Sequence, residues 1–307
     1  MDAATVLDFL AATLRIATPL LLAALGGILC ERGGTFAVGL EGQMLAGAFF
    51  GVVATHLAGS VAVGLPASAL GGMVMALVVM VATLRFHAEH MVTGIASNIL
   101  ALGSTSFLLR AVAHGSAPVI RVPLLEPWAV PGLAQLPLVG PLLFRQPPLT
   151  YLALLLVPPL ALFLFRTRAG LTLRAVGENP LAAFAAGADP ARVRALAILA
   201  GGALAGLAGA VLSLQQVGTF TDGMTGGRGY LALAAVIVGR WMPLGSLAAC
   251  LMFGAAEAFA LRAQAFSLPV SSYVMQMAPY VAALLVLAGL GRGARMPAAL
   301  GQQFRQG

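Results

Sequence analysis

Apolar residues occur along the chain in long runs, and the charged residues, Pro and Gly concentrate between them. A helix needs about 20 mostly apolar residues to cross a bilayer, or fewer where it is interrupted and packed inside protein. This pattern predicts nine membrane-spanning segments. They are 9–30, 43–63, 66–85, 92–113, 149–166, 194–217, 229–240, 244–263 and 272–290. The seventh is too short for an ordinary crossing and is flanked by Gly-rich breaks.

The order of these segments also indicates an internal repeat. Segments one to four and six to nine begin on opposite sides of the membrane, and each group starts with a helix that leads into a Gly-rich break, at 33–42 and at 218–229. An inverted repeat has this pattern. We therefore expect an all-α polytopic membrane protein, some of its segments broken or re-entrant, with residues 1–307 forming a single transmembrane domain.

Composition supports a membrane protein and excludes several activities. The apolar set AVILMFWYC makes up 60% of the chain and charged residues only 9%, whereas soluble domains are about 25% charged. All 17 basic residues are Arg. Without Lys the chain has neither a Walker A loop nor a lysine Schiff base. The net charge is +7, but the Arg residues lie at segment ends, where they meet anionic lipid. We therefore predict no nucleic-acid site.

The distribution of Arg predicts the orientation, because cytoplasmic loops carry an excess of basic residues. With the C-terminus in the cytoplasm, the larger set lies inside: Arg32, Arg85, Arg166, Arg168, Arg174, Arg192, Arg194, Arg240, Arg292, Arg295 and Arg305. The smaller set lies outside: Arg15, Arg110, Arg121, Arg145, Arg228 and Arg262. The N-terminus, with Asp2 and Asp8 and no basic residue, then lies outside and does not resemble a signal peptide.

The external segment 114–148 is rich in Pro and contains Trp128. Pro at this density is incompatible with an ordinary spanning helix. We expect an ordered cap on the outer membrane surface that serves as a docking surface for an external partner. The alternative is a flexible connector.

The cytoplasmic segment 167–193 contains a short helix with clear boundaries. Asn179 followed by Pro180 is typical of an N-cap and first helical residue, and Gly187 ends the helix. Asp189 with the Pro that follows repeats the start signal for the sixth spanning segment.

Such a short helix does not persist alone in water, so another surface must pack on it. Leu181 and Phe184, three residues apart, form an apolar face for that contact. The surface belongs either to the chain's own bundle or to a cytoplasmic motor subunit.

Several polar residues fall within apolar segments, where they are costly unless partnered. Glu41 precedes the second segment; we expect Arg32 as its partner, in a structural ion pair or a gate at the cytoplasmic mouth. Asn98 lies in the fourth segment and Gln215 at the end of the sixth. Each makes an interhelical hydrogen bond or faces the solute pathway.

The Gly-rich break at 218–229 contains Asp222 and Arg228. It lacks Lys and the G-x-G-x-x-G spacing, so we expect a broken helix rather than a phosphate site, in a structural or a pathway role. Glu257, in the eighth segment, requires a partner within the bundle or acts in a proton relay.

Metal and redox chemistry receive little support. His87, Glu89 and His90 do not form an H-E-x-x-H motif and are typical of an interfacial turn. Cys30 and Cys250 are too few for a metal cluster or a disulfide framework. We predict no metal site and no catalytic residues.

Three motifs together resemble a known family. They are Glu31-Arg32-Gly33-Gly34-Thr35-Phe36-Ala37-Val38-Gly39-Leu40-Glu41-Gly42-Gln43-Met44, Gly177-Glu178-Asn179-Pro180 through Gly187, and Gly226-Gly227-Arg228-Gly229-Tyr230 through Gly239-Arg240-Trp241-Met242-Pro243-Leu244-Gly245. In this order over about 10–290, they resemble the permease subunits of ABC importers for nucleosides and simple sugars, within the broader family of ribose and branched-chain amino-acid permeases.

The resemblance implies a permease of the bacterial cytoplasmic membrane that works by alternating access, without a cofactor of its own, since partner ATPase subunits bind the ATP. It further implies a second permease, more often a paralogue than an identical copy, and an external substrate-binding lipoprotein. The family's coupling segment corresponds to Glu178 through Asp189. Phe36-Ala37-Val38 replaces the Val-Asn-Ile common in nucleoside members, so the solute stays open. The competing hypotheses are a proton-driven secondary transporter that uses Glu41 or Glu257, and an intramembrane metalloenzyme.

Overall fold

A computed structural model describes residues 3–112, 120–129, 139–265, 277, 280–281, 283–285 and 296–303. Over these residues the protein is almost entirely helical. Its helices are α1 (Ala3–Arg32), α2 (Leu40–Ala58), α3 (Val61–Met80), α4 (His90–Val112), α5 (Val139–Leu143), α6 (Pro148–Arg166), α7 (Arg168–Glu178), α8 (Pro180–Ala185), α9 (Pro190–Ala210), α10 (Arg228–Val238) and α11 (Pro243–Ala265). Short π-helical segments, Val81–Arg85 and Val211–Val217, extend α3 and α9.

Six of the described helices are long and apolar enough to cross a membrane. They are Thr5–Arg32, Val61–Arg85, His90–Val112, Pro148–Arg166, Pro190–Val217 and Pro243–Ala263. Helix α2, with 19 residues, is less apolar, and α10 is an 11-residue apolar helix too short for a complete crossing. The chain is therefore a multi-pass membrane protein in which α10 is the short segment expected from the sequence.

The boundary between the second and third segments differs from the prediction. The second and third segments were expected to separate at 64–65, but the chain turns at Gly59 and Ser60, and Gly64 lies within α3. Gly59 adopts the left-handed conformation (φ 65°) and Ser60 is extended, which ends α2 earlier.

The ninth segment, 272–290, lies mostly outside the described residues, although 280–281 and 283–285 are helical.

Helices α1, α2, α3 and α9 form a closely packed centre that depends on small residues. Gly26 and Gly201 face each other, and a Cβ at either would collide with the opposite backbone or, at Gly201, also with the Cys30 sulfur. A Cβ at Gly47 would collide with the backbone of Gly206, and a Cβ at Gly206 with that of Ser68. Small residues let membrane helices approach this closely.

The contacts between the helices have a symmetric pattern. Both α2 and α3 pack on α9, and both α10 and α11 pack on α1. The centre is thus built from two pairs of helices, each pair packed on the long helix that begins the other half.

The described part of segment 114–148 is ordered against the end of α9. Strands β1 (Trp128–Ala129) and β2 (Arg145–Gln146) pair antiparallel. Nearby, the backbone N–H groups of Val122 and Leu125 donate to the carbonyls of Gly218 and Leu214 at 2.9 Å each. Residues 114–119 and 130–138 of the predicted cap lie outside the described residues.

Candidate functional site

The two Gly-rich breaks meet at Glu41, in the first turn of α2. One carboxylate oxygen accepts the backbone N–H of Gly227 at 2.8 Å, and the other accepts that of Gly229 at 2.7 Å. The first N–H groups of a helix lack partners within it, and the positive end of its dipole favours an anion. Glu41 therefore caps α10.

The expected ion pair between Glu41 and Arg32 is wrong. The Arg32 guanidinium lies at the other end of α10, where it donates to the carbonyls of Trp241 at 3.0 Å and Arg240 at 3.4 Å. These carbonyls belong to the turn between the C-cap of α10, Gly239, and the start of α11. Glu41 and Arg32, which lie on either side of the first break, thus contact the two ends of α10 with opposite charges.

Glu31 completes this arrangement. Its fully buried carboxylate accepts the indole N–H of Trp241 at 2.5 Å and the backbone N–H of Ala37 at 3.3 Å. Both Arg240 and Trp241 have positive φ, near 55°, which is unusual for residues with side chains. The bonds from Glu31 and Arg32 hold this strained turn in place.

Asn98 joins three elements at the same junction. Its side-chain oxygen accepts the N–H of Gly42 at 2.8 Å, and its nitrogen donates to the Val38 carbonyl at 3.0 Å and to the Tyr230 hydroxyl at 2.8 Å. An interhelical hydrogen bond was one of the two roles expected for Asn98. On the other side of the junction, the Tyr280 hydroxyl donates to the Gly226 carbonyl at 3.0 Å.

The remaining pathway candidates divide between the junction and other places. Arg228 forms an ion pair with Glu257 at 2.6 Å, which supplies the partner expected for that carboxylate. Asp222 is exposed and takes no part in the ion pair between Arg228 and Glu257. Gln215 is buried elsewhere, where its amide donates to the Thr150 hydroxyl at 3.2 Å.

A cavity of about 250 Å³ opens beside the junction. Three of the polar residues around it, Glu41, Asn98 and Tyr230, belong to the hydrogen-bond network just described. Its full lining is Glu41, Gly42, Leu45, Ile95, Asn98, Ile99, Leu102, Gly223, Thr225, Gly226 and Tyr230.

The segment 167–193, which we expect in the cytoplasm, contains the predicted short helix α8. The Asn179 side chain accepts the N–H of Ala182 at 3.0 Å, and Pro180 occupies the first turn. Gly187 follows with φ 89°, and its N–H donates to the Phe184 carbonyl. These are the cap signals read from the sequence.

Helix α8 keeps apolar side chains at its surface. Leu181 is 66% exposed and Phe184 is 49% exposed, while Ala183 is buried. The next helix starts at Asp189, whose carboxylate accepts the N–H groups of Ala191 and Arg192 at 3.1 and 3.2 Å. Both ends of the segment are therefore fixed by caps, and its apolar side chains are partly exposed.

The C-terminal segment, 296–303, has a role that the sequence did not predict. Its backbone N–H groups donate to the carbonyls of Gly177 and Gly34, at 2.9 and 3.0 Å, and to the Glu178 carboxylate at 3.2 Å. It lines, with α8, a groove of about 580 Å³. No local sequence signal marks this contact, because its partners are distant in the chain.

Arg194 fastens the segment and was predicted only as a flanking basic residue. The side chain is 1% exposed, and its guanidinium donates to the carbonyls of Gly33 at 3.1 Å and Gln302 at 2.8 Å. The third nitrogen, Nη2, is buried without a hydrogen-bond partner among the described residues. A buried cation of this kind is costly to leave unpaired, so these two carbonyl contacts matter.

The described residues contain no group of three or more metal-binding side chains. Nδ1 of His90 accepts the Phe36 N–H at 3.4 Å. Glu89 accepts the Val92 N–H at 2.6 Å, and hydrogen bonds from Val92 and Met91 lower the pKa of its carboxyl. In the described structure, the side chains of Glu89 and His90 therefore make hydrogen bonds at the start of α4.

Comparison with known proteins identifies the family. The family described as branched-chain amino acid transport system / permease component matches residues 9–288. The guanosine ABC transporter permease protein NupQ of Bacillus subtilis is 34% identical over 320 residues, which cover 100% of this chain and 99% of the relative. The nucleoside ABC transporter permease protein NupC of Lactococcus lactis is 35% identical over 300 residues, covering 94% of each.

A third relative has a different solute in its name. The putative glucose ABC transporter permease protein TsgC13 of Haloferax volcanii is 37% identical over 260 residues, which cover 84% of this chain and 78% of the relative. No solved structure matches the chain. The chain belongs to the family of ABC transporter permease components. It is a transport subunit of a membrane complex and not an enzyme.

Proposed function

We propose that this chain is a permease subunit of an ABC importer that carries nucleosides, or a related simple sugar, by alternating access. The observation that carries the proposal is α8. It is a six-residue helix, capped by Asn179 and ended at Gly187, with Leu181 and Phe184 exposed between basic segment ends. We propose that partner ATPase subunits, which bind the ATP, dock on this apolar face through the coupling residues Glu178 to Asp189.

The orientation and the number of crossings form part of the proposal. The α8 segment, the end of α1, the turn after α3 and the C-terminal segment are joined by hydrogen bonds, which supports placing them together on the cytoplasmic side. The N-terminus then lies outside the bacterial cytoplasmic membrane. Counting α2, the short α10 and segment 272–290 with the six long helices gives nine crossings.

The contact pattern supports an inverted repeat. Exchanging α1 with α9, α2 with α10 and α3 with α11 leaves the main packing pairs unchanged. The first turns of α2 and α10 meet at Glu41, where a pseudo-twofold axis in the membrane plane would pass. We propose that the two halves move about these breaks, with Glu41, Asn98 and Arg228 beside the pathway and Asp222 at its outer side. Gln215 fits a structural role in the contact between α9 and α6.

The partner permease is proposed to be a paralogue. Bacillus subtilis contains two relatives named guanosine ABC transporter permease protein. NupQ is 34% identical to this chain, and NupP is 29% identical to it. Haloferax volcanii contains a similar pair, TsgB13 at 29% and TsgC13 at 37%. Two permeases in each organism, one closer to this chain, favour a heterodimer. An external substrate-binding lipoprotein delivers the solute.

The test replaces Phe184 with Asp in the complete importer. A charge on the apolar face of α8 should abolish ATP-dependent uptake of labelled guanosine and weaken co-purification of the ATPase, while the permease stays in the membrane. Leu171→Asp is the matched control, since Leu171 is 59% exposed on the neighbouring α7. Normal uptake with Phe184→Asp contradicts the proposal.

A further inference from the structure

The cavity beside Glu41 has a polar end and an apolar wall. Glu41, Asn98 and Tyr230 form the polar end, and α4 supplies the wall through Ile95 and Ile99. Leu45 and Leu102 extend it. Transporters commonly bind solute where interrupted helices meet near the middle of the membrane, and this cavity lies at the junction of the two breaks.

The charge of this cavity differs from that of a free helix N-terminus. The first N–H groups of α10 would attract an anion, but the carboxylate of Glu41 already accepts two of them. Arg228, the nearest cation, is paired with Glu257 at 2.6 Å. Glu41 is the single charged side chain among the described residues that line the cavity. An anionic solute therefore meets a carboxylate without a compensating cation, which disfavours its binding.

The same groups favour a neutral solute that donates hydrogen bonds. Each carboxylate oxygen of Glu41 accepts one backbone N–H and keeps further lone pairs for a solute N–H or O–H. The Tyr230 hydroxyl accepts from Asn98, which leaves its own proton to donate. The guanine ring, with two adjacent N–H donors, matches a carboxylate in this manner.

The apolar wall distinguishes a nucleoside from a hexose. Ile95 and Ile99 are 49% and 68% exposed, and Tyr230 is 45% exposed, so a flat ring has apolar and aromatic surface to cover. Aromatic and apolar surfaces bind the face of any base, whereas a sugar has hydroxyl groups around its whole edge. This wall would leave part of those hydroxyls unpaired, at a cost.

We propose that this cavity is a solute site for an uncharged nucleoside, with the base against α4 and its N–H donors toward Glu41, and that it rejects nucleotides. The inference rests on the proposed function and adds the chemical class of the solute. Selectivity by Glu41 would act inside the permease, in addition to selection by an external binding protein.

The test is photolabelling of the purified importer complex in lipid nanodiscs with 8-azidoguanosine. We expect label in peptides of α4 and around Tyr230, with protection by guanosine and none by guanosine monophosphate or glucose. Protection by glucose equal to that by guanosine overturns the assignment to nucleosides. Protection by the monophosphate equal to that by guanosine overturns the exclusion of anions.

Two variants locate the site. Ile99→Trp fills the cavity and should lower labelling by about tenfold, as loss of a fitted apolar contact does. Leu100→Trp is the control, since Leu100 is 50% exposed on the same helix and does not line the cavity. Equal labelling in both variants overturns the location.

Glu41→Gln keeps one acceptor and removes the charge. It should reduce the preference for guanosine over its monophosphate by about tenfold, because the repulsive element is gone. An unchanged preference overturns the role of Glu41. A failure of the proposed function would give a different result. In that case the importer with Phe184→Asp would take up guanosine normally, whatever the photolabelling shows.

Discussion

Glu41 accepts a hydrogen bond at 2.7 Å from the backbone N–H of Gly229, 188 positions further along the chain. The contact is so close that a Cβ at position 229 would collide with the backbone of Glu41. It joins the first turn of α2 to the first turn of α10. The two interrupted helices therefore share one carboxylate at the point where they start.

Removing this cap should destabilise the protein. Glu41→Ala leaves two N–H groups of α10 without partners, and we expect a loss of about 2 kcal/mol in the free energy of unfolding, at the upper end for a helix cap. The thermal midpoint of the purified protein in detergent measures the effect. Glu126→Ala, which removes an exposed carboxylate, should leave the midpoint unchanged. Equal midpoints for the two variants would contradict the capping role.

Asn98→Ala should cost about 1–3 kcal/mol, because the N–H of Gly42 and the carbonyl of Val38 become buried and unpaired. Ser104→Ala is the control on the same helix, since Ser104 bonds only within α4, to Ala101. Unfolding followed by circular dichroism in denaturing detergent compares the two. A change for Ser104→Ala as large as that for Asn98→Ala would show that the network contributes little.

Arg194→Met should release the C-terminal segment from the rest of the protein. The variant loses the hydrogen bonds to the carbonyls of Gly33 and Gln302. We expect faster hydrogen exchange of the amides in 296–303, measured by mass spectrometry. Arg192→Met, two residues earlier and 86% exposed at its side chain, should leave this exchange unchanged. Identical exchange in both variants would refute the attachment by Arg194.

Asn179→Ala should loosen α8, since the N–H of Ala182 loses its acceptor; the expected cost to this helix is about 1 kcal/mol. Asn179→Asp retains a side-chain oxygen and should behave like the natural protein. Hydrogen exchange at 182–186 reports the opening of α8, and ATPase co-purification reports its docking. Faster exchange in the Asp variant as well would indicate that the side chain acts in another way.

Local features of this protein could be predicted from its sequence. The cap at Asn179, the stop at Gly187 and the start at Asp189 each depend on a few adjacent residues, and the structure contains all three. The length of the apolar runs similarly predicted the long helices, because bilayer thickness sets their length.

Contacts between distant positions were not predictable in the same way. Arg32 seemed the natural partner of Glu41 because it is near in sequence, yet the partners of Glu41 are backbone N–H groups of Gly227 and Gly229. Backbone groups carry no residue-specific signal, so composition does not reveal them as partners. The same reason explains why the attachment of 296–303 to Gly177 and Gly34 was missed.

The attachment of the C-terminal segment has a consequence for biosynthesis. Residues 296–303 are translated after every spanning helix, yet their N–H groups bind the carbonyls of Gly34 and Gly177, at the ends of α1 and α7. A nascent chain therefore inserts its helices before these hydrogen bonds at the ends of α1 and α7 can form. A ribosome that stops before residue 296 releases a chain in which the two carbonyls lack these partners.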